Sequence, residues 1–172
     1  IILDLRRNGG GSLEEAIRLT GLFIKEGPVV QVQDSDGRRS VDDDPDSTLF
    51  YDGPLVVLTS RFSASASEIL SGALQDYGRA LIVGDASTHG KGTVQSLQQL
   101  ASIMRRPSST TNDPGALKVT IRKFYRPKGS STQLRGVVPD IILPSVNDYL
   151  EVGESSLDDP LPWDDTTSAP FE

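Results

Sequence analysis

The chain has 172 residues, of which 36% are hydrophobic and 24% are charged, a composition typical of a folded domain with a hydrophobic core. Its formal net charge of -7 argues against a nucleic-acid-binding surface, because phosphate binding needs clustered Lys and Arg and the 17 basic residues here are scattered. There is no Cys and one His, which excludes disulfides, thiol nucleophiles and multi-histidine metal sites.

The first part of the chain predicts a strand, a helix and a hairpin. The apolar run at residues 1–5 is typical of a buried strand and leads to a glycine-rich turn at 8–11. A capping-box pattern then opens a helix whose apolar residues recur at helical spacing over 12–23. Residues 29–32 predict a strand, and the polar run at 34–45, with its Asp-Gly turn, predicts a solvated loop or hairpin.

The middle of the chain predicts a strand, a helix and a second strand. Residues 55–59 are typical of a central strand, residues 65–78 show helical spacing, and residues 81–84 are typical of another buried strand. This order favours parallel pairing with right-handed crossovers. We therefore expect an α/β fold of mixed α and β layers that contains βαβ units.

The last part of the chain predicts extended structure and then a change in composition. Residues 93–97 should be extended, 117–125 alternate like an antiparallel strand with one wet face, and 137–143 predict a last strand. From residue 146 onward Asp, Ser and Pro dominate. We expect residues 1–145 to form the core and 146–172 to be a linker or the start of a C-terminal extension.

Ser65 stands where a predicted strand turns into a predicted helix, and two interpretations fit it. With Glu68 it forms a capping box, so it can serve as an ordinary helix N-cap. It can also be a nucleophile, because a serine at such a turn exposes its hydroxyl while the N–H of Ala66 points at a developing oxyanion. Sequence physics alone leaves both interpretations open.

A serine nucleophile needs a base, and the chain offers two. His89 would suit a Ser/His/Asp triad, although a lone His in such a loop is usually a surface residue. Lys91 lies between Gly90 and Gly92, where the chain can turn tightly, but it also fits a turn residue or an anion binder. A lysine base requires a desolvated pocket without a nearby carboxylate, because only then is the amine neutral near pH 7.

Two further segments could complete such a site. If residues 91–95 are extended, Lys91 and Gln95 share one face, and the amide oxygen of Gln95 can orient the amine. The turn at 8–11 is either a flexible connection or an anion-binding loop just before a helix.

Several segments in fixed order carry a resemblance to a known family. The chain resembles the C-terminal processing (tail-specific) proteases, serine endopeptidases with a Ser/Lys dyad, and it is most similar to the tail-specific branch. The segments are 3–11 (LDLRRNGGG), 61–69 (RFSASASEI), 75–80 (QDYGRA), 90–95 (GKGTVQ) and 136–141 (GVVPDI).

The resemblance implies a role for each matching residue. The nucleophile falls on Ser65, the middle serine of its run, and the base falls on Lys91. Gln95 matches a third member of the site, and Asp76 matches a residue that supports activity, here interpreted as structural support. The implied oxyanion donors are the N–H groups of Ala66 and of a glycine in the first segment, with Gly11 preferred over Gly10.

The resemblance also implies a setting for the chain. It implies a crotonase-like or ClpP-like layered protease core, cleavage of polypeptides with nonpolar C-terminal tails through an acyl-enzyme, and no metal or cofactor. It implies an upstream PDZ module, an adaptor protein, and a bacterial periplasm or cell envelope as the location, although the chain shows no signal segment. By itself the chain is expected to cleave weakly. The alternative is a non-catalytic peptide-binding or scaffold domain of the same fold.

Overall fold

Two four-stranded sheets form the framework of the protein, seen here in a computed structural model that describes residues 1–104 and 113–171. One sheet is parallel, in the order β1-β4-β5-β8, and the other is antiparallel, in the order β3-β2-β7-β6. The strands are β1 (Ile2–Asp4), β2 (Pro28–Asp34), β3 (Arg39–Asp43), β4 (Val56–Thr59), β5 (Leu81–Gly84), β6 (Thr93–Gln99), β7 (Ala116–Tyr125) and β8 (Ile141–Ile142). The helices are α1 (Leu13–Gly21), α2 (Ala66–Asp76) and the short α3 (Leu100–Ile103).

The predicted strand-helix-strand order is confirmed as parallel βαβ structure. β4 pairs in parallel with both β1 and β5, and α2 connects β4 to β5. The helices α1 and α2 pack on each other, and both also contact β2 of the antiparallel sheet. Because α2 also contacts β5 of the parallel sheet, it lies between the two sheets, and the apolar residues of these elements form one core.

The prediction that residues 1–5 and 81–84 are buried strands is right for one face only. Val57 and Ile82 are cross-strand neighbours on the face that packs against the helices, and both are fully buried. Ile2 and Leu81 lie on the opposite face, where they are 70% and 43% exposed. The described residues place helices on one side of this sheet, so alternate side chains of each strand stay at the surface.

The β6–β7 hairpin projects beyond the core, which corrects the expectation of one wet face for 117–125. Leu117 and Val119 are exposed, as are Lys118 and Thr120 on the other face. Burial begins only near Phe124, where β7 reaches β2. Both faces of the outer hairpin meet solvent because the described structure packs nothing against them.

The last predicted strand, residues 137–143, is shorter than expected. Only β8 (Ile141–Ile142) pairs with β5. Pro139 has no N–H to donate to a neighbouring strand. Before it, the Val137 N–H donates to the hydroxyl of Thr88 at 2.7 Å instead of to a strand.

The acidic C-terminal segment runs back along the core. The Trp163 indole donates to the Ser131 carbonyl at 2.9 Å, and the Arg135 guanidinium lies 3.6 Å from the centre of the Trp163 ring. Farther on, the Phe171 ring lies 4.7 Å from that of Tyr77. The interpretation of 146–172 as a linker or the start of a further extension stays a prediction.

Burial predicts which leucines carry stability. Leu74 of α2 is fully buried in the core, whereas Leu19 of α1 is 37% exposed. We expect Leu74→Ala to lower the free energy of unfolding by about 3 kcal/mol, because it removes buried methyl groups and leaves a cavity. Leu19→Ala should cost less than about 1 kcal/mol. Urea denaturation measures both, and equal losses would contradict this placement of the core.

Candidate active site

The turn before α2 holds Ser65 in an unusual backbone conformation. Its φ is 56° and its ψ is -112°, and it shares a positive φ with only one other described residue that is not glycine, Leu134. Such a conformation costs about 1–3 kcal/mol and persists only where the surroundings hold it. Here the Ser65 N–H donates to the Glu68 carboxylate at 2.7 Å, which is one half of the predicted capping box.

The three serines of this turn have different surroundings. The Ser63 hydroxyl is buried and donates to the Leu5 carbonyl at 2.7 Å, and the Ser67 hydroxyl donates to the Asn8 carbonyl at 2.9 Å. The Ser65 hydroxyl bonds to neither of these carbonyls, and its protein neighbour is the first turn of α2, in the capping-box arrangement with Glu68. Of the three serines it is the one that is not buried, so its hydroxyl is the one that a ligand can reach.

The glycine-rich loop packs directly against this turn. The Asn8 carbonyl accepts the Ala64 N–H at 3.1 Å in addition to the Ser67 hydroxyl. Gly10 has a φ of 107°, and a Cβ at this position would lie 2.8 Å from both the Ala64 carbonyl oxygen and the Ser65 Cβ. Only glycine fits there without displacing the Ser65 turn.

Two backbone N–H groups near Ser65 are free to bind an anion. The Gly10 N–H donates to the Asn8 side chain at 3.0 Å, whereas the Gly11 and Ala66 N–H groups have no partner in the described hydrogen bonds. Ala66 begins α2, so its N–H is one of the donors that a helix leaves unpaired at its N-terminus. Both free donors border the same cavity as Ser65.

That cavity has a volume of about 320 Å³ and brings the predicted site residues together. Ser65, Ala66, Gly11, Lys91 and Gln95 all line it. Its remaining lining residues are Gly9, Leu13, Ile69, Val94, Lys118 and Phe124. A larger cavity of about 800 Å³ lies at the carboxyl ends of the parallel strands, but neither Ser65 nor Lys91 borders it.

Lys91 is half-buried and its amine is held in place. Its Nζ donates to Gln95 Oε1 at 2.9 Å, as the predicted shared face requires. The described structure contains no salt bridge to Lys91 and no hydrogen bond between Lys91 Nζ and the Ser65 hydroxyl. A neutral amine can donate one hydrogen to Gln95 and keep its lone pair free.

Burial is the largest influence on the Lys91 amine. Desolvation and the positive charge of Lys118 lower the pKa of Lys91 from its ordinary value of 10.5, while Glu154 and Glu68 act to raise it. The expectation of a pocket without a nearby carboxylate is therefore wrong in part. The net direction is still the one that a general base requires.

Glu68 joins the Ser65 turn to the Lys91 loop, a role that the sequence did not reveal. One carboxylate oxygen accepts the N–H groups of Ser65 at 2.7 Å and Lys91 at 3.0 Å. The other accepts the Gly90 N–H at 2.7 Å and the Thr88 hydroxyl at 2.6 Å. The capping pattern explained only the bond to Ser65, because nothing in the spacing predicts where the Lys91 loop lies.

Glu68 is fully buried, and its protonation depends on pH. Burial raises the pKa of Glu68 to about 7, because the cost of desolvating the carboxylate outweighs the four hydrogen bonds that favour its ionised form.

The two other titratable residues singled out from the sequence lie outside the cavity that Ser65 lines. Asp76 lies at the far end of α2, where it is buried, forms an ion pair with Arg126 and accepts the Lys128 N–H at 3.0 Å. His89 is partly buried, with its Nδ1 3.9 Å from a Glu154 carboxylate oxygen. Burial lowers the pKa of His89.

The structure describes neither a membrane-spanning helix nor a metal cluster. Within 1–104 and 113–171, no helix is long and apolar enough to cross a bilayer. The same residues contain no group of three or more His, Asp or Glu side chains suited to hold a metal ion.

Comparison with known proteins gives one consistent family. The model of peptidase family S41 matches residues 1–143. The tail-specific protease of Haemophilus influenzae is 50% identical over 171 residues, which are 99% of this chain and 24% of that protein. The carboxy-terminal-processing protease of Bartonella bacilliformis is 40% identical over 146 residues, 83% of this chain and 30% of that protein. The chain thus spans about a quarter to a third of these relatives.

A solved structure agrees with this result. The photosystem II D1 C-terminal processing protease superposes with a TM-score of 0.66 at 33% sequence identity. The match covers 87% of this chain and 35% of that one.

The hydrogen bonds of Glu68 predict the effect of an amide at this position. In Glu68→Gln, the side-chain NH2 group cannot accept the bonds from Ser65 and Lys91 in one orientation or the bond from Gly90 in the other, in which the Thr88 hydroxyl can turn to accept. At least one buried N–H group is therefore left unpaired, and we expect the free energy of unfolding to fall by about 1–3 kcal/mol at pH 5.5. Glu15→Gln is the matched control, since Glu15 occupies the same third helical position of α1 but is exposed. A loss no larger than that of the control would contradict the role of Glu68.

The raised pKa of Glu68 predicts a pH dependence of defined sign. Because the folded-state pKa lies above the ordinary value of 4.5, its contribution to stability is complete below pH 4.5 and is lost as the pH rises through 7. The stability advantage of the wild type over Glu68→Gln should therefore be smaller at pH 8 than at pH 5 in urea denaturation. A larger advantage at pH 8 would mean that the four donors keep the carboxylate ionised.

Proposed function

The chain belongs to peptidase family S41, and on this premise we propose that it holds the catalytic centre of a serine endopeptidase that processes protein C-termini. The observation that carries the proposal is the position of Ser65 beside Lys91. Ser65 is partly exposed, it stands in a strained turn, and it shares a cavity with a lysine whose pKa is lowered by burial.

The chemistry follows from the positions of these groups. The neutral Lys91 amine takes the proton of the Ser65 hydroxyl as Ser65 Oγ attacks the carbonyl carbon of the scissile peptide bond. The N–H groups of Ala66 and Gly11 then donate to the oxyanion of the tetrahedral intermediate, and the dipole of α2 adds to this stabilisation.

Collapse of the intermediate completes acylation. The Lys91 ammonium gives its proton to the leaving amine, the peptide C–N bond breaks, and an ester links the acyl part of the substrate to Ser65 Oγ. Lys91 then deprotonates a water that attacks this ester, and the released Ser65 oxygen regains its proton.

The supporting residues have separate tasks in this proposal. Gln95 holds the Lys91 amine through its 2.9 Å hydrogen bond. Asp76 acts at a distance, because its ion pair with Arg126 anchors the far end of α2 to the chain that follows β7. Gly10 supplies the close approach to Ser65, and Gly11 supplies the N–H donor.

The finer features of the function come from the family resemblance. We propose polypeptides with nonpolar C-terminal tails as substrates, and the apolar residues Leu13, Ile69, Val94 and Phe124 that border the cavity suit such chains. We also propose an upstream PDZ module in the parent protein, an adaptor protein as partner, and the bacterial periplasm or envelope as location. The proposed reaction uses no metal ion and no cofactor.

The proposal is tested in the longer parent protein by cleavage of an unfolded substrate with a nonpolar C-terminus. Ser65→Ala and Lys91→Ala should each lower kcat/KM at least about a thousandfold, because the residues of such a unit fail together. Ser102→Ala and Lys25→Ala, both at exposed positions, should leave it unchanged. Circular dichroism checks that each variant is folded.

The rival function predicts a different result. A non-catalytic peptide-binding domain would bind the same tail peptides without cleaving them. Undiminished cleavage by Ser65→Ala would mean that Ser65 only begins the helix, and binding without cleavage by the wild type would favour the scaffold.

A further inference from the structure

We propose that Lys118 acts as a positioning residue through Lys91: its positive charge disfavours a second positive charge across the cavity and so keeps the Lys91 amine available as a base. The inference rests on the proposed role of Lys91 and adds a residue that neither the motifs nor the spacing had singled out.

Strand pairing places Lys118 toward the site. In the β6–β7 hairpin, Lys118 is paired with Leu97, and Thr120 with Gln95. Paired residues of antiparallel strands share a face, as do residues two positions apart along one strand. Lys118 therefore lies on the same face as Gln95, which holds Lys91 Nζ, and Lys118 and Lys91 both line the cavity that contains Ser65.

The charge of Lys118 is not neutralised within the described structure. The Lys118 amine takes part in no hydrogen bond or salt bridge of the described residues. Lys123 lies on the same strand, β7. Lys123, in contrast, forms a 2.7 Å ion pair with Asp164. Of these two strand lysines, the one that lines the cavity has no ion-pair partner in the described structure.

The groups around Lys91 make such a charge useful. Glu68 from α2 accepts the Lys91 backbone N–H at 3.0 Å, and Glu154 from the C-terminal segment accepts the Gln133 amide at 3.2 Å. Both carboxylates favour a protonated Lys91. The other titratable group nearby, His89, stands two residues before Lys91 and is partly buried. Lys118 from β7 opposes the two carboxylates. After burial, it is the largest influence that lowers the pKa of Lys91.

The exposure of Lys118 should make its influence on the pKa of Lys91 depend on salt concentration. Lys118 lies on the outer, solvent-exposed part of β7. A charge that acts partly through water is screened by salt over about 10 Å at 0.1 M ionic strength. Its influence on Lys91 should therefore weaken as salt is added, whereas the influence of burial should not.

The test measures the Lys91 amine itself and needs no proteolysis. The full chain is labelled with a small amine-selective acylating reagent at a series of pH values, and mass spectrometry follows the peptide that contains Lys91. The variants are Lys118→Gln, which removes the charge, and Lys118→Arg, which keeps it. Arg122→Gln is the matched control, because it removes a charge from an exposed position of the same strand that lies beyond the register shift at Val94 and Gln95 and does not line the cavity.

We expect Lys118→Gln to slow the labelling of Lys91 about two- to threefold near neutral pH and to move its profile to higher pH, since the neutral fraction falls. Lys118→Arg and Arg122→Gln should match the wild type. Adding 1 M salt should bring the wild type toward Lys118→Gln. If Lys118→Gln disturbs the fold by circular dichroism, Lys118→Met replaces it with a similar stem.

An unchanged Lys91 profile in a folded, neutral variant at position 118 would overturn the proposal. The same outcome follows if Lys118→Arg behaves like Lys118→Gln, because the charge would then not matter. In the longer parent protein, the acid limb of kcat/KM should move to higher pH in Lys118→Gln alone. Since labelling does not depend on cleavage, an inactive parent protein would contradict the proposed function without deciding the role of Lys118.

Discussion

The carboxylate of Glu68 is the group on which the candidate active site depends. Ser65 and Lys91 lie on separate elements, a turn before α2 and a loop before β6, and no described hydrogen bond joins their side chains. Glu68 accepts hydrogen bonds from the backbone of both. A buried carboxylate that accepts four donors is costly to desolvate, but its removal leaves those donors unpaired. Because separating the two elements would leave these donors unpaired, Glu68 holds the Ser65 turn and the Lys91 loop in fixed relative positions.

The rest of the site is organised around that connection. Glu68 also holds the Thr88 hydroxyl, and Thr88 accepts the N–H of Val137 in turn, so the chain before β8 is tied to the same point. On the other side, the Asn8 carbonyl joins the glycine-rich loop to the start of α2. These bonds occupy the neighbouring polar groups, whereas the Gly11 and Ala66 N–H groups have no partner among the described hydrogen bonds and the Ser65 hydroxyl stays partly exposed.

The electrostatics of Lys91 follow from the same arrangement. The carboxylate that positions the Lys91 loop also favours a charged amine, which opposes a base role. Burial of the amine and the unpaired charge of Lys118 act in the other direction. A structural carboxylate can therefore lie close to the proposed base, because desolvation and a second cation outweigh its influence on the pKa of Lys91.

The sequence by itself determined the local elements and the order in which they occur. Helical spacing and the Ser12 cap located α1, and the alternation of strand and helix around 55–84 predicted parallel pairing, because these signals depend on neighbours in the chain. The sequence could not show that β7 extends beyond the core, or that the chain before β8 is held by Thr88, since both depend on distant partners. Ser65 and Lys91 stood out by their surroundings in the chain. Only the tertiary structure placed Glu68 between them and Lys118 across the cavity, because burial and charge are set by residues far apart in sequence.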